Sequence, residues 1–269
     1  MRIIVFAALP QEYRPFQKRM GKWRQLAHQP APLFRHATAD REILLVETGM
    51  GPKRLNQAFA AALQGGRADL ILCTGFAGSL WKGFQVGQVL LGGRLTFCNP
   101  SSPQSMAEAF HFHPSPGLGA FCGTHHIETA GMITVQRPQD KFLLARYAGS
   151  MPSVMDMESA HLAQLAFHHS IPFLALRAVS DALQDIIDYS LEEISDQTGR
   201  VRIPLVLLAI LKRPLLCRSF MVSWRRAQKA ALHLAQTLSA LLRLPHPVLA
   251  TLVRECRLLP VLRQQNPRP

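Results

Sequence analysis

Three acidic residues stand where a carboxylate can do chemistry. Glu12 follows the apolar run Ile3–Ala8 in Pro10-Gln11-Glu12, Glu158 closes Met155-Asp156-Met157-Glu158, and Asp181 follows Phe173–Val179 in Ser180-Asp181. A fourth segment, Cys73-Thr74-Gly75-Phe76-Ala77-Gly78-Ser79, carries two glycines that let backbone N–H groups approach a bound molecule. Each segment comes with or directly after a short apolar run, and ligands of open α/β sheets sit beyond the carboxyl ends of strands. Carboxylates gathered from distant parts of a chain suit general acid–base work. Plainer readings exist for each. Glu12 and Glu158 suit the first turn of a helix, Ser180-Asp181 suits a cap, and Thr74 to Gly78 suits a tight turn.

The elements that must position these residues follow from hydrophobic periodicity. Ile3–Ala8, Ile43–Val46, Leu70–Cys73, Val86–Leu91, Ile127–Met132, Val154–Met157 and Phe173–Val179 read as strands, several of them apolar enough to be buried on both faces. Lys53–Gln64, Gln139–Ala148 and Glu158–Ser170 read as helices, the last closed by Ile171-Pro172. This alternation predicts a three-layer α/β/α sandwich around a mixed central sheet. Residues 95–125, with Pro100, Pro103, Pro114, Pro116, Gly117 and Gly119 scattered along them, read as a loop-rich excursion.

Charge divides the chain. With 30 Lys+Arg against 17 Asp+Glu the net charge is +13, yet residues 1–198 are nearly neutral and 199–269 hold a single acid, Glu255. The division predicts an α/β domain over 1–198 and a basic helical extension over 199–269. Phe220, Trp224, Ala227, Ala231, Leu234, Leu238 and Leu241 form one apolar seam on that extension, flanked by Arg225, Arg226 and Lys229. The seam fits either packing on the α/β domain or on a second subunit, or contact with an anionic membrane surface. No aromatic–basic motif accompanies the charge, so nucleic acid is not an expected partner. The longest apolar run beyond the amino terminus, Ile203–Leu211, is too short to span a bilayer. Five widely spaced cysteines without a CxxC pair point to a reducing cytoplasm and to no metal. His111 and His113 lack a partner at ligand spacing in the sequence.

Taken in order, Ile3–Glu12 (IIVFAALPQE), Glu47–Asn56 (ETGMGPKRLN), Leu70–Leu80 (LILCTGFAGSL), Val154–Ala160 (VMDMESA) and Ile171–Asp181 (IPFLALRAVSD) resemble the nucleoside phosphorylase and nucleosidase superfamily, within it the methylthioadenosine/S-adenosylhomocysteine nucleosidase type. The resemblance covers about residues 1–185. It implies cleavage of the N-glycosidic bond of an adenine-type nucleoside without a cofactor. It assigns Glu12 to water activation, Asp181 to protonation of the purine with Ser180 orienting it, Glu158 to the ribose hydroxyls and Met157 to packing on the sugar. Thr74, Gly75, Phe76, Ala77 and Gly78 would border the substrate, and a homodimer is expected. Ala130–Val135 departs from the family's base-stacking segment, which leaves Phe76 or residues 95–125 to take that role. The turn at Thr74–Ser79 has no adjacent arginine, favouring water over phosphate as nucleophile, while Arg14 and Arg54 keep phosphate open. The DMES segment with Lys212-Arg213-Pro214 also resembles the hopanoid-associated phosphorylases, implying an alternative: phosphorolytic release of adenine from a lipid-linked nucleoside, at the membrane periphery. A third alternative is a non-catalytic nucleoside-binding protein. All three require Glu12, Glu158 and Asp181 to converge on one hollow.

Overall fold

The computed structural model describes residues 1–49, 51–99, 102–137, 139–185 and 216–261. The expected domain boundary at 198/199, the run Ile203–Leu211 and Lys212-Arg213-Pro214 lie outside them.

Buried apolar runs form the strands β1 (Arg2–Ala7), β4 (Glu42–Glu47), β5 (Leu70–Ser79) and β10 (Phe173–Asp181). β5 is the hub of the sheet. It pairs in parallel with β1 and β10 and meets β9 (Ser153–Asp156) antiparallel through Gly78–Met155 and Ser79–Val154. β1 continues in parallel to β4, and β3 (Leu33–Ala37) and β2 (Arg24–Ala27) extend that side antiparallel. On the other side β6 (Val89–Asn99) pairs with β10 and β7 (Ser102–His113) antiparallel, and with β8 (Glu128–Thr134) in parallel. β8 lies parallel to β9 and β11 (Arg257–Pro260) edges β7, so the mixed sheet has eleven strands among the described residues.

Alternate residues of the central strands face two different cores, which is why these runs read as continuous rather than alternating hydrophobicity. Ile4, Phe6, Ile71 and Cys73 pack with Leu55 and Phe59 of α2 (Pro52–Leu63) and Leu162 and Ala166 of α5 (Ser159–His168). Ile3, Val5, Leu70 and Leu72 pack with Tyr13 and Phe16 of α1 (Pro10–Met20) and with Leu118 and Cys122 of α3 (Pro116–Thr124). This second layer also holds Leu234, Leu238 and Leu241 of α6 (Leu216–Leu242), and Leu249 and Leu252 of α7 (His246–Glu255). α4 (Lys141–Tyr147) follows β8. The three-layer expectation matches this architecture.

One expectation changes. Residues 95–125 are no loop-rich excursion. They complete β6, form β7 and then α3, with Ser115 capping the helix by accepting the Leu118 N–H at 3.1 Å and Pro116 at its first position. Pro114 lies at the join of β7 and α3 while Gly117, Gly119 and Gly123 are taken up within α3, and Phe110 and Phe112 of β7 are buried. For the described part of the basic extension, the first of the alternatives holds: the seam packs on the α/β domain. Leu234, Leu238 and Leu241 of the seam are buried in the second core, whereas Trp224, nearer the helix start, remains 44% exposed. No described helix is long and apolar enough to cross a membrane.

Candidate active site

The candidate residues gather at the carboxyl end of β5. Glu12 is the third residue of α1 and its side chain folds back, accepting N–H bonds from Ala8 (2.8 Å), Leu9 (2.9 Å) and Phe76 (3.0 Å). It is therefore both a helix-start acid, as the plainer reading has it, and a bridge from β1 to β5. Gly75 makes this closeness available: a Cβ there would lie 2.8 Å from Glu12 Oε1 and 2.5 Å from Arg177 Nη1, and its φ of +152° disfavours other residues.

Arg177 organises the site, and sequence reasoning missed it. It pairs with Gly75 in the β10–β5 register and is 1% exposed. Its Nη2 lies 2.7 Å from Asp156 Oδ2 and 3.1 Å from Glu158 Oε2, and its Nε donates to Ser159 Oγ at 3.1 Å. Asp156 is locked further by the Thr134 hydroxyl (2.7 Å) and the Ser159 N–H (3.0 Å). A charged residue inside the apolar run FLALRAV was the available signal, since an arginine is almost never buried without partners.

One guanidinium thus serves Asp156, Glu158 and, through space, Glu12. Burial raises the Glu158 pKa to about 7, with Arg177 opposing and the neighbouring Asp156 and Glu12 adding to the rise. Burial likewise raises Glu12, against Arg177 and the three N–H bonds. Burial alone would lower Arg177, but the surrounding carboxylates raise it and keep it charged. Cys73, 3.2 Å from Arg177 Nη2, is pushed up to about 12 by burial, so it stays a thiol and is no nucleophile.

Asp181 stands opposite Gly78 across the β10–β5 pair, after an irregularity at Ser180. Ser180 Oγ donates to Asp181 Oδ1 (2.6 Å) and contacts the Ala77 carbonyl (3.3 Å). Lys141 Nζ donates to Asp181 Oδ2 (2.8 Å) and to the Ala182 carbonyl (2.5 Å). Glu12 and Glu158 therefore meet at Arg177, while Asp181 borders the same strand end three residues further on. Met157, Phe76, Ser180 and Asp181 are partly exposed, forming the open side, and Thr74 is buried with its hydroxyl unpartnered.

The expected sugar-sized hollow is narrower than foreseen. The crevice touching Glu158 is lined also by Phe6, Ala8, Thr48, Cys73 and Thr74 and is closed, with no space for a water-sized group, so a sugar enters only if it widens. A larger apolar cleft of about 690 Å³ lies between α3 and α7, lined by Phe121, Pro247, Val248 and Leu252. It holds none of the clustered carboxylates. Arg14 and Arg54 are exposed on α1 and α2.

A mixed-sheet α/β/α protein with buried carboxylates at the strand ends is a class whose ligands bind at those ends. The Phosphorylase superfamily model matches residues 2–209, and the chain belongs to that family. It is 24% identical over 216 residues to the 5′-methylthioadenosine/S-adenosylhomocysteine nucleosidase of Listeria monocytogenes, covering 72% of this chain and 91% of that one. The namesake from Haemophilus influenzae is 23% identical over 211 residues, with the same coverage. Among solved structures, the S-adenosylhomocysteine nucleosidase of Streptococcus pyogenes superposes with a TM-score of 0.66 at 19% identity, covering 91% of this chain and 98% of that one. The futalosine hydrolase of Helicobacter pylori gives 0.64 at 15%, covering 89% and 96%. These likenesses establish the fold.

Proposed function

We propose that this chain is a nucleosidase that hydrolyses the N-glycosidic bond of an adenine-type purine nucleoside. The observation that carries the reading is Glu12: a carboxylate fixed by three backbone N–H bonds, raised by burial towards the range where a general base works best, and set beside a second raised carboxylate, Glu158. In this reading Glu12 takes a proton from water, whose oxygen bonds to C1′. Glu158 accepts from the ribose hydroxyls, with Met157 against the sugar. Breaking C1′–N9 sends electrons into the purine, and Asp181, aimed by Ser180, supplies the proton at the leaving base. The excess of carboxylates over Arg177 favours the positive charge that builds on the sugar ring. The Listeria relative's name supports this substrate class. Water is the better nucleophile because Arg177 is neutralised by Asp156 and Glu158. The expected homodimer would bury exposed Trp81, Phe142 and Tyr147.

The second reading, a phosphorylase for a lipid-linked nucleoside, is favoured by one observation: Met221, Val222 and Trp224 are exposed on α6 beside the exposed basic residues Arg218, Arg225 and Lys229, a combination that suits an anionic lipid surface. One assay separates the two. The full chain with methylthioadenosine or adenosylhomocysteine in ¹⁸O-water should release adenine without phosphate and place ¹⁸O on the sugar, and Asp181→Asn should abolish release while preserving the fold. Release that requires phosphate supports the second reading. No turnover of any purine nucleoside, lipid-linked ones included, overturns both.

A further inference from the structure

Lys141 has no part in any role assigned above, yet its position is unusual for a lysine. It is the first residue of α4, after the Asp140 cap that accepts the Leu143 N–H at 3.0 Å. A cation at a helix start opposes the helix dipole, so nothing local favours it there. Its side chain is only 12% exposed, and long charged side chains are seldom buried unless paired. The stem runs over Gly78, where an added Cβ would lie 3.5 Å from Lys141 Cδ and 3.0 Å from Asp181 Oδ2. The absence of a side chain at Gly78 is what admits Lys141 from α4 to the end of β10. Its ammonium then ends between Asp181 Oδ2 and the Ala182 carbonyl, opposite the Ser180 hydroxyl on Oδ1.

We propose that Lys141 is the positioning residue for Asp181 and the preorganised cation on the leaving-group side of the reaction. The inference rests on the nucleosidase reading above. With Ser180 on one oxygen and Lys141 on the other, the carboxyl of Asp181 has a single orientation before substrate arrives. When C1′–N9 breaks and Asp181 gives its proton to the purine, Asp181 is left as a carboxylate beside the departing base, a charge that resists the transfer unless offset. Lys141 offsets it with a charge fixed in advance, where such charges act most strongly. The two halves of the site then have opposite electrostatic tasks. Asp156, Glu158 and Glu12 exceed their one guanidinium and favour the cationic sugar, whereas Lys141 balances Asp181 and favours the departing base. Gly78 separates them along β5.

The test compares two substrates on the full chain: a purine nucleoside, whose leaving group needs help, and 4-nitrophenyl β-riboside, whose leaving group does not. Lys141→Met should lower kcat on the purine nucleoside about 100-fold, within the range of acid–base assistance, with little change in KM. It should leave nitrophenyl riboside cleavage within about twofold. Lys141→Arg, which keeps the charge, should recover much of the loss. Equal loss on both substrates with altered thermal unfolding would make Lys141 merely structural, and wild-type turnover of the purine nucleoside by Lys141→Met would remove the role altogether; either overturns the proposal. Wild-type protein that cleaves neither substrate overturns the nucleosidase reading itself, and the inference falls with it.

Discussion

Glu158→Gln separates stability from function at this site. In the folded chain Glu158 holds its proton up to about pH 7 against an ordinary 4.5, because burial and the adjacent Asp156 and Glu12 outweigh Arg177. The folded state therefore binds a proton that the unfolded chain has released throughout that window. Stability from this group is fully present below pH 4.5 and is lost as pH rises through 7. The gap corresponds to about 3 kcal/mol. Glutamine mimics the protonated form and carries no such loss, so Glu158→Gln should match wild type in urea unfolding near pH 4.5 and exceed it by about 2–3 kcal/mol at pH 8. Its activity should nevertheless fall by about 100-fold at pH 8, since a neutral amide is a poor acceptor for the ribose hydroxyls and a poor neighbour for a cationic sugar. The wild type should show activity rising, and stability falling, as pH increases from 5 to 8. A Glu158→Gln variant that is less stable than wild type at pH 8 would refute the reasoning, because it would mean that the Glu158–Arg177 pair stabilises the fold outright.

Four further outcomes are expected. Arg177→Met leaves buried carboxylates without their guanidinium and should cost about 3–5 kcal/mol in urea unfolding at pH 7, less at pH 5 where Glu158 is protonated. Gly75→Ala forces a Cβ to within 2.5–2.8 Å of Arg177 and Glu12, and should lower both the melting temperature and kcat, with a stability loss of about 1–3 kcal/mol. Glu12→Gln turns an NH2 towards a backbone N–H that the carboxylate accepts and should lose about 1–3 kcal/mol of stability, yet stay folded, bind a non-cleavable nucleoside analogue in calorimetry, and turn over about 100-fold or more slowly. Leu238→Ala, in the buried part of α6, should cost about 2–5 kcal/mol by denaturant titration, as expected of a core helix and not of a solvated tail.

The strand ends were legible because the chain announces them: uninterrupted apolar runs stop at Glu12, at Thr74-Gly75 and at Ser180-Asp181, and the structure brings all three to the end of β5. Pair partners were not legible. Arg177 lies in the middle of a strand reading as pure core, and Lys141 lies 40 residues from the acid that it contacts; only the β10–β5 register and the passage over Gly78 reveal where each side chain ends. The segment 95–125 differs from its sequence reading because proline and glycine, which signal loops, stand inside β7 and α3, and only Phe110 and Phe112, among the described residues of β7, show the alternate burial of a strand. α6 was read correctly as a helix with a seam. That the seam packs on the α/β domain was one of three coverings the sequence left open, since periodicity reports an apolar face and not what covers it.

The most direct test is a crystal structure of the full chain with a non-hydrolysable adenosine analogue. The expected complex has the ribose hydroxyls on Glu158, N7 of the base within hydrogen-bond reach of Asp181, and C1′ facing Glu12 across the space of one water, with the Glu158 crevice widened to admit the sugar. An analogue seated in the α3–α7 cleft, or bound at β5 with its sugar turned away from Glu12 and Glu158, would contradict the account.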